Sequence, residues 1–244
     1  MNAEPATESD YYSNTRTQQV DVISNGKIIS SYEIDISPDE FLPTQIKPRN
    51  AFQTWPARRY ALPVVTLAII ISVLSLIGWN FSNFSAGVSA QAVFGFHEYW
   101  RLFTALFMHG DTPHLLSNLL PFLFFGWLLY SYFGISAFPI IPFVIGIASN
   151  ALTITQYDAK TILMGASGMI YGMIGLWLVL YLKFDSNSQI TKRFMRAVAF
   201  ALIMLLPRAY EPNVSYLAHA SGFSLGVVSG VAGLPFFKLN KPDI

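Results

Sequence analysis

The stretch that decides the fold is Gly165-Ala166-Ser167-Gly168, which opens the apolar run MIYGMIGLWLVLYL at residues 169–182. A serine at the start of an apolar helix lies beside backbone N–H groups that have no partner within the helix. These donors and the helix dipole favour negative charge that develops near the hydroxyl. A second apolar run contains His219. Ser167 and His219 together predict a nucleophile and a general base within the hydrocarbon region of a membrane.

The composition indicates lipid as the solvent. The 244 residues are 53% hydrophobic and only 12% charged, whereas soluble domains carry about 25% charged residues. A net charge of +1 argues against a nucleic-acid partner. The chain has no cysteine, which excludes disulfides, thiolate zinc sites and a cysteine nucleophile. Because the first 14 residues are polar, we expect the first membrane helix, and no signal peptide, to direct targeting.

Apolar runs recur along the chain and predict an all-α, polytopic membrane bundle with six spans. They cover residues 62–79, 113–130, 135–154, 167–182, 194–206 and 214–234. The fourth run would be roughly 24 Å long at about 1.5 Å per residue, which is less than the roughly 30 Å hydrocarbon core. We therefore expect Ser167 to lie below the membrane surface, reached by a loop that dips inward. Such backbone is tolerated only where protein or a water-filled cavity surrounds it.

The first 56 residues differ from the rest and are predicted to form an arm or a very small module. Asn25-Gly26 separates two β-rich stretches, which is a hairpin signal. The membrane domain is predicted at residues 57–236, followed by a tail at 237–244. Lys and Arg cluster before the first span, between the fourth and fifth, and after the last. By the positive-inside rule both termini are cytoplasmic, which places Ser167, His114 and His219 at a similar depth near the outer side.

The run that contains His219 also predicts close helix packing. Positions 218, 222, 226 and 230 are all small, and a stripe of small residues lets two membrane helices approach closely. We expect Gly222 and Gly226 to face Gly168 and Gly172 of the fourth helix, and we assign Gly165 to helix packing as well. The imidazole of His219 would then reach the Ser167 hydroxyl, as nucleophile activation requires.

Several residues near Ser167 and His219 have more than one interpretation. The apolar part of the spans has no carboxylate to orient His219, which favours a dyad over a triad. Tyr171, one turn after Ser167, is predicted either to pack on the imidazole or to fill the core. His114 and Asn118 share one helix face and are candidates for binding an oxyanion, although such residues also form purely structural hydrogen bonds between helices. His109 is expected to support the site through a polar network.

Three other protein classes are alternatives to a serine protease. A metalloprotease would need His-Glu-x-x-His, but His97-Glu98-Tyr99-Trp100 is followed by Arg101. The remaining histidines lack a metal-ligand spacing, so neither metal nor cofactor is expected. An aspartyl protease would need two aspartates within helices, but the apolar part of the spans has no carboxylate. A catalytically inactive protein that binds membrane helices, or a transporter, remains the alternative.

These motifs, in this order, resemble the signature of the rhomboid intramembrane serine proteases. The resemblance covers about residues 60–235 and includes Trp100-Arg101, which looks like the Trp-Arg element of the family's first external loop. It implies a six-helix core, Ser167 as nucleophile, His219 as general base, oxyanion roles for His114 and Asn118, and a structural role for Arg101. It also implies membrane-protein substrates that have a transmembrane helix. We expect the bacterial inner membrane as the location, with the fifth helix or the 208–213 connection as a gate.

Overall fold

The computed structural model describes residues 16–24, 26–36, 52, 56–80, 86–185, 189–205 and 214–240. The chain divides into two compact units, Met1–Arg49 and Asn50–Ile244. In the first unit, strand β1 (Arg16–Ser24) pairs antiparallel with strand β2 (Lys27–Ile36), and Ser24 lies opposite Lys27. Gly26 in the connection has φ +74°, a conformation that favours glycine. The predicted hairpin is confirmed.

The second unit contains, among its described residues, six long helices. These are α1 (Leu62–Asn80), α2 (Thr112–Phe133), α3 (Ile141–Ile154), α4 (Ser167–Phe184), α5 (Ile190–Leu205) and α6 (Tyr216–Gly233). Four helical segments in the described part of the chain are long and apolar enough to cross a membrane: Arg58–Asn80, Thr112–Phe133, Ser136–Ile154 and Ser167–Phe184. The chain is therefore an integral, multi-pass membrane protein built as a helical bundle.

Helices α5 and α6 are not among those four, so the count of six spans stays a prediction. Helix α5 has 16 residues, and α6 is as long as α4 but rich in glycine and serine, which lowers its mean hydropathy. Contacts between Gly168 and Gly222 and between Gly172 and Gly226 show that α4 and α6 run parallel. The segment between them, which includes α5, must therefore carry the chain back to the end of the bundle where α4 begins.

Neighbouring helices α1 to α4 alternate in direction. Val64 near the start of α1 contacts Gly126 late in α2. Ile145 of α3 contacts Gly172 of α4, whereas Ser149, further along α3, contacts Gly168 at the start of α4. Large side chains fill the space between these helices, and the fully buried ones include Phe122, Phe125, Phe138, Leu129, Ile145, Met169 and Met173. This alternation collects the start of α4, the start of α6 and the segment before α2 at one end of the bundle.

At the opposite end, residues on both sides of the predicted membrane domain pack into it. The ring of Phe52 lies 4.7 Å from Tyr132 and 5.7 Å from Trp177, measured between centroids. Asn240 donates hydrogen bonds from its backbone N to Tyr132 O (2.8 Å) and from Nδ2 to Ser131 O (2.9 Å). These carbonyls belong to the last turn of α2, which has no partners for them within the helix. The bundle thus begins before residue 57 and extends through Asn240; residues 241–244 of the predicted tail lie outside the described residues.

Candidate active site

Ser167 is the first residue of α4, and the backbone before it is held at several points. Gly165 has φ +123°, a conformation that side chains rarely adopt, and its N–H donates to Ala105 O (2.9 Å). Ala166 is the N-cap, and its carbonyl accepts the hydrogen bond from Ile170 N (2.9 Å). The half-buried Ser167 therefore stands at a helix N-terminus whose entry path is fixed.

His219 lies against Tyr171. The two rings are stacked, with centroids 4.0 Å apart and planes 9° from parallel. Tyr216 meets the same imidazole edge-on, at 6.1 Å between centroids. Since Ser167 precedes Tyr171 by four residues, the two occupy the same face of α4. The structure thus brings His219 to the α4 face that carries Ser167, while the hydrogen bond between the two side chains stays a prediction.

Helices α4 and α6 touch through their backbones at this end. A Cβ atom added to Gly222 would overlap the carbonyl oxygen of Gly168, and one added to Gly226 would overlap that of Gly172. Four of the five glycines that the sequence assigns to helix packing are thus in contact across α4 and α6, whereas Gly165 lies against the ring of His114. Their lack of side chains sets the separation of α4 and α6, and hence the position of His219 relative to α4.

His114 and Asn118 lie in the first turns of α2. The N–H of His114 is capped by Asp111 Oδ1 (2.7 Å), and the His114 carbonyl accepts from Asn118 Nδ2 (2.9 Å). A Cβ added to Gly165 would come within 2.8 Å of both Cε1 and Nε2 of His114. The His114 ring thus lies directly against the segment that leads into Ser167.

His109 is buried, at 2% exposure, and joins three parts of the chain. Its Nδ1 lies 3.1 Å from Ser75 Oγ, its Nε2 accepts from Ala166 N (3.4 Å), and its carbonyl accepts from Trp79 Nε1 (2.7 Å). The pKa of the imidazole is lowered from 6.5 to about 3, mainly by burial and secondly by the charge of a protonated His114. His109 is therefore neutral at physiological pH.

Trp100 and Arg101 belong to the segment that precedes α2. Trp100 is 59% exposed. Arg101 donates from Nε to Glu98 (2.5 Å) and from Nη1 to the carbonyl of Gly87 (3.1 Å), so that its guanidinium ties together the segment that precedes α2. Glu98 and Arg101 belong to the stretch that departs from the metalloprotease pattern, and here they form a local ion pair.

Sequence reasoning missed a hydroxyl cluster beneath His219. Ser149 Oγ on α3 donates to the carbonyl of Ala218 (3.0 Å) and lies 2.9 Å from Ser221 Oγ. Thr153, one turn further along α3, has its Oγ1 3.5 Å from the same Ser221 hydroxyl. Ser149 and Thr153 are both fully buried. Two hydroxyls four residues apart in an apolar run were the available signal, and they anchor the turn of α6 that carries His219.

The fold and these groups define the class first: a helical membrane protein that collects buried and half-buried serine, histidine and asparagine side chains at one end of its bundle. The family follows from comparison with known proteins. The model of the Rhomboid domain matches residues 96–236, which is more than half of the chain. The chain belongs to the rhomboid family.

The relatives share modest identity with this chain. "Putative rhomboid protease YdcA" of Bacillus subtilis (strain 168) is 27% identical over 183 residues, which cover 72% of this chain and 89% of YdcA. "RHOMBOID-like protein 1" of Arabidopsis thaliana is 30% identical over 142 residues, 55% of this chain and 34% of that protein. "Rhomboid-related protein 3" of Homo sapiens is 25% identical over 159 residues, 60% of this chain and 39% of that protein. The chain thus spans most of YdcA but only a third to two fifths of the other two.

Proposed function

We propose that this protein is an intramembrane serine endopeptidase in which Ser167 is the nucleophile and His219 the general base. The observation that carries the proposal is the stack of Tyr171 on His219 at 4.0 Å, one turn from Ser167. An imidazole held on the face of a helix whose N-terminus holds a serine supports this assignment, since nucleophilic catalysis needs a base close to the hydroxyl. The stack replaces the carboxylate that orients the histidine in a triad.

The reaction follows from the chemistry of the two groups. Ser167 Oγ attacks the carbonyl carbon of a peptide bond while His219 takes the hydroxyl proton. The resulting tetrahedral intermediate collapses as His219 returns that proton to the leaving amine, which frees one product and leaves an acyl-enzyme on Ser167. Water then attacks the ester, with His219 again accepting and returning a proton. The carboxylate product is released and Ser167 is regenerated.

The oxyanion of each intermediate needs hydrogen-bond donors. The backbone N–H of Ser167, at the start of α4, is one such donor. The N–H of Ala166 is already used by His109 Nε2, which favours Ser167 over Ala166 in this role. We assign the ring of His114, which lies against Gly165, and the side-chain amide of Asn118 as the further donors.

The substrate class follows from the surroundings of the proposed site. The bundle is built for the bilayer, so the polypeptide that reaches Ser167 is the membrane-spanning helix of another protein. Its carbonyls are bonded within the helix until the helix unwinds locally, which favours substrates that have helix-weakening residues near the cut. The proposed gate, α5 or residues 208–213, falls partly outside the described residues.

The location is proposed from the charge distribution. The clusters of Lys and Arg before α1, around the α4–α5 connection and after α6 favour cytoplasmic termini. We propose the bacterial inner membrane, with the end of the bundle that holds Ser167 and His219 toward the outer face.

The test is cleavage by the purified protein in proteoliposomes with a panel of single-span substrates. Wild-type protein should cut, Ser167→Ala and His219→Ala should not, and Ser224→Ala should behave as wild type because Ser224 is an exposed serine of α6. A fluorophosphonate should label wild-type protein but not Ser167→Ala. Folded wild-type protein that neither cuts nor reacts would favour an inactive helix-binding protein or a transporter.

A further inference from the structure

Ser75 is a buried hydroxyl in the last third of α1, at 1% exposure. Its neighbour Ser72 bonds back to Ala68 O on its own helix (2.8 Å), as membrane serines often do. Ser75 instead reaches outside α1, to Phe107 O (3.0 Å) and to His109 Nδ1 (3.1 Å). Of the two serines of α1, Ser75 therefore connects the helix to the segment before α2, whereas Ser72 bonds within its own helix.

The positions of the protons follow from the partners. A carbonyl only accepts, so the single hydroxyl proton of Ser75 goes to Phe107 O. The oxygen of Ser75 then accepts from His109, which requires the proton of the neutral imidazole on Nδ1. The other nitrogen, Nε2, is left as an acceptor, and Ala166 N–H lies 3.4 Å from it. The hydrogen bonds thus run in one direction, from Ala166 N–H through His109 to Ser75 and on to Phe107 O.

A second contact from α1 holds the same histidine. Trp79, one turn after Ser75, donates from Nε1 to the carbonyl of His109 (2.7 Å). The backbone and the ring of His109 are thus both attached to one face of α1. At the far end, Ala166 is held on both sides, its N–H by His109 and its C=O by Ile170 N.

We propose that Ser75 is a positioning residue that acts on Ser167 through His109 and Ala166. The inference rests on the proposed function, since Ser75 touches neither substrate nor Ser167. The hydroxyl of Ser75 selects the Nδ1-protonated form of His109, and only that form can accept from Ala166 and fix the peptide that precedes the nucleophile. The volume of Ser75 has no part in this role.

The experiment compares Ser75→Thr with Ser75→Val, which have nearly the same size and differ in the hydroxyl. Ser72→Ala is the matched control, because it removes a hydroxyl from the same helix without touching His109. For each variant, kcat and KM are measured with one single-span substrate, together with the rate of fluorophosphonate labelling and the melting temperature. Nitrogen-15 NMR of histidine-labelled protein reports which ring nitrogen of His109 carries the proton, with His109→Asn giving the assignment.

We expect Ser75→Val to lower kcat and the labelling rate on the order of tenfold or more with KM unchanged, which is the signature of a misplaced reacting group. Ser75→Thr should keep wild-type kcat and the Nδ1-protonated ring, and Ser75→Val should lose that form. Equal kcat in Ser75→Thr and Ser75→Val, with equal melting temperatures, would overturn the proposal.

The NMR measurement separates the two proposals. If folded wild-type protein neither cleaves nor reacts with the probe, the protease function fails. The tautomer of His109 alone then tests the hydrogen-bond relay from Ser75 through His109 to Ala166. A proton on Nδ1 that depends on the Ser75 hydroxyl retains the relay in that case. A tautomer that is the same in Ser75→Val overturns it.

Discussion

The rings of Tyr171 and His219 lie face to face, 4.0 Å apart between centroids, although 48 residues of chain separate them. Tyr171 is on α4 and His219 on α6, so the stack also reports how those helices are seated. In the proposed reaction it orients the imidazole that must take a proton from Ser167.

The stack predicts that the ring of Tyr171 matters and its hydroxyl does not. Tyr171→Phe should keep kcat, because the stacking surface is retained. Tyr171→Leu should lower kcat by about three- to tenfold, since aromatic pairs contribute about 0.5–1.5 kcal/mol beyond burial. Steady-state cleavage of a single-span substrate measures both. A Phe variant as slow as the Leu variant would instead assign the role to the hydroxyl.

The backbone contact between Gly168 and Gly222 predicts a large cost for a single methyl group. Gly222→Ala should destabilise the bundle by about 1–3 kcal/mol, because the added Cβ overlaps a backbone oxygen that cannot turn aside. Thermal unfolding in detergent measures the loss, and cleavage should fall with it because α6 carries His219. Gly110→Ala is the control: a Cβ there meets nothing within 4 Å, and the variant should melt with wild-type protein.

The lowered pKa of His109 predicts that stability falls as the solution becomes acidic. The unfolded chain protonates this ring below pH 6.5, whereas the folded protein resists protonation down to about pH 3. The unfolded state thus binds more protons in that window, so the stabilisation is complete above pH 6.5 and is lost as pH falls, by about 1.4 kcal/mol per pH unit.

The measurement is the free energy of unfolding at pH 6.5 and pH 5.0 for wild-type protein and for His109→Asn. Wild-type protein should lose about 2 kcal/mol more than the variant over this interval. Ser72→Ala keeps every histidine and should lose as much as wild type. Identical losses in wild-type protein and His109→Asn would contradict the burial of a neutral ring.

The contact of Asn240 with α2 predicts that removing its side chain lowers stability without lowering catalysis. Its side chain and backbone N–H bond the last carbonyls of α2, at the end of the bundle opposite Ser167. Asn240→Ala should cost about 1 kcal/mol, the usual value of such a hydrogen bond, with kcat unchanged. A fall in kcat at unchanged melting temperature would show that this end communicates with the site.

Sequence alone could predict most of the architecture. It could also predict which polar residues gather at the end of the bundle where α4 begins. The apolar runs predict the helices because the bilayer requires about 20 apolar residues per span, and the small-residue stripe predicts the approach of α6 to α4. The hairpin at Asn25-Gly26 was predicted from turn chemistry, and Gly26 adopts the expected positive φ.

Other features could not be predicted because they depend on partners that are distant in sequence. Ser75 is one of several hydroxyls in an apolar run, and nothing in its neighbours identifies His109 as its partner. The same holds for Ser149, whose partner Ser221 is 72 residues away. Asn240 follows the last apolar run and resembles a tail residue until its contact with α2 is known.

The parallel arrangement of α4 and α6 has a consequence during synthesis. The groups proposed to act together are supplied by α1, α2, α4 and α6, so a chain still on the ribosome carries the serine before the histidine exists. Until α6 enters the bilayer and seats against α4, the proposed catalytic pair of Ser167 and His219 is incomplete. In the proposed reaction, the synthesis of α6 is thereby the step that supplies the general base.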